Sequence, residues 1–255
     1  MALDPAAVLV ILAASAFTPP LIFLGVVRRT ERYGREPLGR VLRTFLWGAI
    51  FAVILALIFS GVFIALFQEV DRVYVFSGQF PNLEIILLAL VIAPFTEELA
   101  KGLGVYLARP MIDEPEDGLI YGAASGLGFA ASENLVYGLL ALTQFGSLEV
   151  SLLVIGVRSI SSAFLHASST AAFGYGIALR RLWPQNFRAL PYYLLAVALH
   201  SVYNLIASVG GLPQTGLSPE SAALLALLGA IVLAVAAFTV IRAKIRTADD
   251  LRVTW

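Results

Sequence analysis

The chain has 255 residues, of which 59% are hydrophobic and 13% charged, about half the charged share of an average soluble domain. Lys+Arg and Asp+Glu each number 17, so no net field attracts nucleic acid, and nucleic acid is not an expected partner. The absence of cysteine excludes a disulfide framework, a thiolate metal site and a cysteine nucleophile.

A hydrocarbon layer of about 30 Å needs about 20 apolar residues. Stretches of that kind predict an all-α polytopic membrane helix bundle with seven transmembrane helices, near 6–27, 43–67, 84–107, 118–142, 150–179, 190–209 and 220–241. The first follows Asp4 with no basic residue before it, so it reads as a retained span despite the cleavage-like Ala14-Ser15-Ala16. Arg28, Arg29, Arg32, Arg35, Arg40 and Arg43 follow it. Arg109, then Arg180, Arg181 and Arg188, then Arg242, Lys244, Arg246 and Arg252 fall on the same side if the spans alternate. Of the basic residues, the other side holds only Arg72. Basic residues accumulate in the cytoplasm, so the expectation is a multi-pass cell-membrane protein with its amino terminus outside and its carboxyl terminus cytoplasmic. Glu84, Glu149 and Glu220 fall where helices begin, where negative charge complements the helix dipole. Residues 68–83 suit a short external lid, and Asp113-Glu114-Pro115-Glu116-Asp117 reads as a solvated turn. No low-complexity tract or internal duplication interrupts the chain, so 1–255 is read as a single integral membrane domain.

Ionisable groups inside spans are costly unless paired or wetted, so each is a functional candidate. The third span carries Glu97, Glu98 and Lys101; Glu97 and Lys101 share a face, with Glu98 rotated by about 100°. The fourth carries Glu133, Asn134 and Tyr137 beyond the small residues Gly118, Gly122, Gly126 and Gly128, a pattern that lets helices approach closely. The fifth has a polar stripe of Ser159, Ser162, His166, Ser169 and Thr170 with Arg158 nearer the outer end, where it can snorkel or neutralise a glutamate. In the sixth, His200 and Asn204 are four apart. At 1.5 Å per residue, Glu97 and His166 lie about 20 and 24 Å below their outer helix ends, and His200 and Glu133 about 15 and 22 Å above their inner ends. These groups can therefore share one layer.

Such a set activates water in either of two ways. Glu133, His166 and His200 can hold a zinc-like cation while another glutamate takes the proton. Alternatively, a carboxylate and a histidine polarise water directly while the second histidine and an amide stabilise the oxyanion. Both lead to peptide hydrolysis. There is no His-Glu-x-x-His helix, and Gly122-Ala123-Ala124-Ser125-Gly126 lacks the strand-to-helix setting of a serine hydrolase.

In their order on successive helices, Glu97-Glu98-x-x-Lys101, Phe129-x-x-x-Glu133-Asn134, His166 and His200-x-x-x-Asn204 resemble the PrsW family of intramembrane proteases. That family is a branch of the superfamily holding type II CAAX prenyl proteases and bacteriocin-processing or immunity membrane proteases. The resemblance covers about residues 84–209, the expected catalytic core. It implies that Glu97 and Glu98 activate or orient water, and that His200 with Asn204 supplies ligation or oxyanion stabilisation. Glu133 and His166 join them as catalytic residues, and Lys101 and Asn134 join Asn204 as orienting groups. The prenyl-protease pattern expects arginine at the position of Gly102 and histidine at the position of Glu133, so the departures favour the PrsW branch. The implied substrate is a membrane-anchored protein cut near or within the lipid bilayer, as when family members cut an anti-sigma factor in signalling. Two other readings use the same polar groups: a proton-coupled transporter, and a non-catalytic membrane protein that binds a peptide.

Overall fold

The computed structural model describes residues 4–80, 82–185, 189–209 and 218–252. Seven long helical runs are found among the described residues. α1 is Pro5–Arg28, opened by Asp4, whose Oδ1 accepts from the Ala6 N–H at 3.1 Å. α2 is Leu38–Tyr74, and α3 covers 83–108. α4 (Pro115–Phe145) and α5 (Leu148–Leu182) form the most extensive helix pair, and α6 (Ala189–Val209) and α7 (Pro219–Arg252) complete the bundle. Glu84, Glu149 and Glu220 all lie in first helical turns, as expected from the dipole argument. The 68–83 segment is mainly the end of α2, a left-handed Val75 and the single turn Phe76–Gln79.

Among the described residues, five helices are long and apolar enough to cross a membrane: Pro5–Arg28, Leu38–Tyr74, Leu148–Leu182, Ala189–Ser208 and Glu220–Asp250. α3 and α4 fall outside that group; they carry Glu97, Glu98, Lys101 and Glu133. The surface has the inverse of soluble-protein patterning. Leu57, Val62, Phe63, Leu66 and Val232 are more than half exposed, whereas alanines, glycines and polar groups fill the interior. This is a helical membrane bundle.

Small residues set the interior spacing. A Cβ on Gly126 would overlap the His166 carbonyl of α5, and one on Gly128 would overlap the Phe45 carbonyl of α2. α4 is thus clamped between backbones on both sides, which fixes where Glu133 and His166 face each other. Two π-helical segments interrupt the long helices, Trp47–Ala52 in α2 and Leu88–Ile92 in α3. The second precedes Pro94, which has no N–H for the Leu90 carbonyl and whose ring crowds it, so the helix widens. Carbonyls in both segments find side-chain donors: Ser132 Oγ donates to Ala49 O at 2.6 Å, and Asn204 Nδ2 to Ala89 O at 2.8 Å. In a medium without water these bonds satisfy groups that would otherwise be orphaned.

The Asp113–Asp117 turn is solvated only in part: Asp113 is exposed, but the last two acids turn inward. Glu116 and Asp117 are 2% and 3% exposed. Asp117 Oδ2 accepts from the N–H groups of Asp113 and Glu114 at 2.8 and 2.9 Å, closing a capping box on α4. Local backbone donors recruit the acid inward, and burial raises the Asp117 carboxyl above its usual range.

Candidate active site

Glu98 is the hub. It is fully buried; Oε1 accepts from Lys101 Nζ at 2.7 Å, Ser169 Oγ at 2.9 Å and His200 Nδ1 at 3.0 Å, and Oε2 from Thr170 Oγ1 at 2.9 Å. Helices α3, α5 and α6 meet on this one carboxylate. Its lone pairs are committed, so its chemistry is to fix partners: it holds the Nδ1 hydrogen of His200 and so leaves Nε2 as the free lone pair. Lys101 pairs with Glu98 three residues away more closely than with Glu97 four away, at 2.7 against 3.7 Å. The shared-face rule pointed to Glu97, but the donors on α5 and α6 draw Glu98 into the interior.

Glu97 is the free acid. Its side chain is 14% exposed, and Oε2 is buried with no hydrogen-bond partner, 3.8 Å from His200 Nε2. His166 stands edge-on to His200, ring centroids 4.9 Å apart. Lys101 Nζ contacts His166 Nδ1 at 2.9 Å, and His166 Nε2 meets Glu133 Oε2 at 2.9 Å. An ammonium has no acceptor, so with Lys101 charged the imidazole carries its hydrogen on Nε2 and donates it to Glu133. Glu133 also accepts from Arg158 Nη2 at 2.6 Å and Ser162 Oγ at 3.3 Å, and Arg158 stacks 3.8 Å above the Tyr137 ring. Arg158 therefore neutralises a glutamate instead of snorkelling.

The two expected amides have partners other than an oxyanion. Asn134 Oδ1 accepts from Arg158 Nε at 3.2 Å, and Asn204 binds Ala89 O. A cavity of about 510 Å³ opens over the cluster, lined by Glu97, Glu133, Arg158, His166, His200 and Asn204 among others. Glu97 and Glu133 also border an apolar groove of about 280 Å³ between α2 and α4, with Val53, Leu57, Val136 and Leu140. Sequence reading assigned α2 no part in the site; Leu57 and Ser60 are apolar or weakly polar in a long apolar run, and nothing in that run marks them.

One carboxylate oxygen and one imidazole nitrogen each from Glu97, His166 and His200 lie within 4.8 Å of one another. The ligand atoms of a tetrahedral zinc with bonds of about 2.0–2.1 Å sit about 3.3 Å apart. The orphaned Glu97 oxygen and the free His200 nitrogen fit a cation with little movement. Glu133, which the sequence reading grouped with the histidines, lies beside His166 but outside this group, in the grip of Arg158.

Residues 36–241 match the family described as PrsW family intramembrane metalloprotease. The chain is 29% identical over 202 residues to Protease PrsW of Clostridioides difficile (strain 630), covering 76% of this chain and 78% of that one. It is 29% identical over 203 residues to Protease PrsW of Geobacillus kaustophilus (strain HTA426), with the same coverage. The Bacillus subtilis (strain 168) Protease PrsW is 28% identical over 127 residues, 49% of this chain and 52% of that one. No solved structure matches the chain. A match spanning most of the bundle, over the helices that bring Glu97, Glu133, His166 and His200 to one cavity with Glu98 buried behind them, means that the chain belongs to the PrsW family of intramembrane metalloproteases.

Proposed function

We propose that this protein is an endopeptidase that hydrolyses a membrane-anchored protein substrate inside the bilayer, with all seven helices crossing it, the amino terminus outside and the arginine-rich end cytoplasmic. The observation that carries the reading is the buried Glu97 Oε2, without a hydrogen bond, facing His200 Nε2 in the wall of a cavity that shares Leu57, Ser60, Glu97, Glu133 and Tyr137 with an apolar groove. Polar groups for water and an apolar track for a helix are both needed to cut a peptide in lipid.

Glu97, His166 and His200 would hold a zinc-like cation, with His166 exchanging one of its two present contacts, Lys101 at Nδ1 or Glu133 at Nε2, for the ion; when bound, the cation supplies Lewis-acid activation of water at neutral pH. Glu98 orients His200 through Nδ1, and Lys101 neutralises Glu98. Glu133, held in place by Arg158, accepts the proton of the attacking water. The water oxygen adds to the scissile carbonyl carbon, the C–N bond breaks, and Glu133 returns the proton to the departing amine. Asn134 holds the Arg158 side chain that aims Glu133. Asn204 holds the widened part of α3 next to Glu97, which makes it a positioning residue.

The test is cleavage of a single-helix membrane substrate in liposomes, with metal content measured on the same sample. Glu97→Gln, Glu133→Gln and His200→Ala should lower kcat by about 10²–10⁴, and zinc should be near-stoichiometric in the wild type and lost in His200→Ala. Wild-type cleavage by Glu97→Gln would reject the assignment. Full turnover by metal-free protein would remove the cation and leave Glu97 and His200 to polarise water directly.

A further inference from the structure

Apart from the histidine pocket and its groove, a cavity of about 300 Å³ lies where α3 and α5 end and α6 begins. It is lined by Tyr106 and Arg109 at the end of α3, by Ile177, Arg180 and Arg181 in the last turns of α5, and by Ala189, the first residue of α6. The Arg109 guanidinium stacks 4.1 Å from the centre of the Tyr106 ring, which holds it at the cavity without neutralising it. Among the described residues no carboxylate lines this cavity, and neither Arg109 nor Arg181 belongs to an ion pair.

Helix dipoles do not account for this much charge. The carboxyl ends of α3 and α5 each carry about half a negative charge. Arg109 and Arg181 alone outweigh the two by about one unit, and the amino end of α6 adds about half a positive charge to the same cavity. The balance suits a ligand with a single negative charge. Tyr106, Leu107, Trp183 and Leu190, next to these arginines in the chain, are all more than 40% exposed. Aromatic and aliphatic side chains beside cations at helix ends mark the interfacial layer of a membrane. In that layer the available anion is a phosphodiester that carries acyl chains, and the exposed side chains give those chains an apolar surface.

We infer that this cavity binds the phosphodiester headgroup of an anionic phospholipid, gripped by Arg109 and Arg181 with Arg180 beside them. Guanidinium forks match phosphate oxygens, and basic pockets between helix ends take lipid headgroups. The helices that frame the cavity, α3, α5 and α6, are the three that meet on Glu98, so a lipid held there ties their ends together. The site is separate from the histidine pocket and does not depend on the proposed hydrolysis.

The experiment is thermal unfolding of the delipidated full chain in a non-ionic detergent, titrated with phosphatidylglycerol, phosphatidylcholine or sodium phosphate at constant ionic strength. Phosphatidylglycerol at about 100 times its dissociation constant should raise the wild-type Tm by roughly 5–10 °C, and the other two by much less. In Arg109→Gln/Arg181→Gln the dissociation constant should rise about 30-fold. Ala189→Trp, which keeps every charge and fills the cavity, should also lose most of the rise, whereas Arg43→Gln, which removes an exposed arginine elsewhere on the arginine-rich side, should keep it. A full rise in either of the first two variants overturns the proposal, as does an equal loss in Arg43→Gln, which would make the effect diffuse surface charge. An equal rise with phosphatidylcholine removes the anionic headgroup as the ligand, and an equal rise with sodium phosphate removes the lipid.

Discussion

Replacing Lys101 with methionine isolates what holds the acidic cluster together. The ammonium is fully buried, 2.7 Å from Glu98 and 3.7 Å from Glu97. At an effective dielectric of about 20, the closer pair alone is worth about 6 kcal/mol of Coulomb attraction, opposed by the desolvation of both ions. Methionine keeps the stem's volume and removes the charge, leaving Glu98 buried with only neutral donors. Removing one partner of a buried pair costs about 3–5 kcal/mol, which at about 2–4 °C per kcal/mol lowers Tm by roughly 10 °C. Thermal unfolding in one detergent measures it, with Glu98→Gln and the double variant Lys101→Met/Glu98→Gln alongside. If the pair is the cause, the double variant is more stable than the sum of the singles predicts by at least about 2 kcal/mol. Additive losses, or a Lys101→Met variant within about 0.5 kcal/mol of wild type, would refute the account of Glu98 as an ion-paired hub.

Asn204→Leu should lower stability by about 1–3 kcal/mol, because the Ala89 carbonyl loses its donor away from water; if Asn204 instead stabilises the oxyanion, kcat falls by two or more orders of magnitude with Tm unchanged. Leu57→Trp narrows the groove between α2 and α4 and should raise KM for a helical substrate several-fold while zinc content stays constant; an unchanged KM would place substrate entry elsewhere. Glu31 supplies a pH signature. Burial and the charges of Asp117, Glu36 and Asp249 push its carboxyl up to about 8 from an ordinary 4.5. The folded state then holds a proton that the unfolded state has released, so its stability is full below pH 4.5 and declines as pH rises towards 8. A Tm that falls from pH 5 to pH 8 in wild type and flattens in Glu31→Gln is expected; equal slopes would remove Glu31 as the cause.

Axial placement was legible in the linear chain because rise per residue is constant. Apolar run lengths located the helices, the acids at positions 84, 149 and 220 marked helix starts, and counting along the runs placed Glu97, Glu133, His166 and His200 at compatible depths. Rotation about each axis was not legible, because residues three and four apart are both within reach on a helix. The four-residue spacing pointed Lys101 at Glu97, yet Glu98 three residues away is also within reach, and Ser169, Thr170 and His200 donating from two other helices drew Glu98 inward and left Glu97 facing the cavity. The same holds for acids outside the helices. Asp113–Asp117 reads as a solvated turn and nothing singles out Glu31, since sequence shows side-chain polarity but not which backbone N–H groups need acceptors or which helices close over a loop. Composition and periodicity determine that this chain is a helical membrane bundle with charges in its interior. Which carboxylate is bonded and which is free is decided by tertiary contact, because desolvation and donor geometry arise only when separate helices pack, here through glycines that bring α4 against the backbones of α2 and α5.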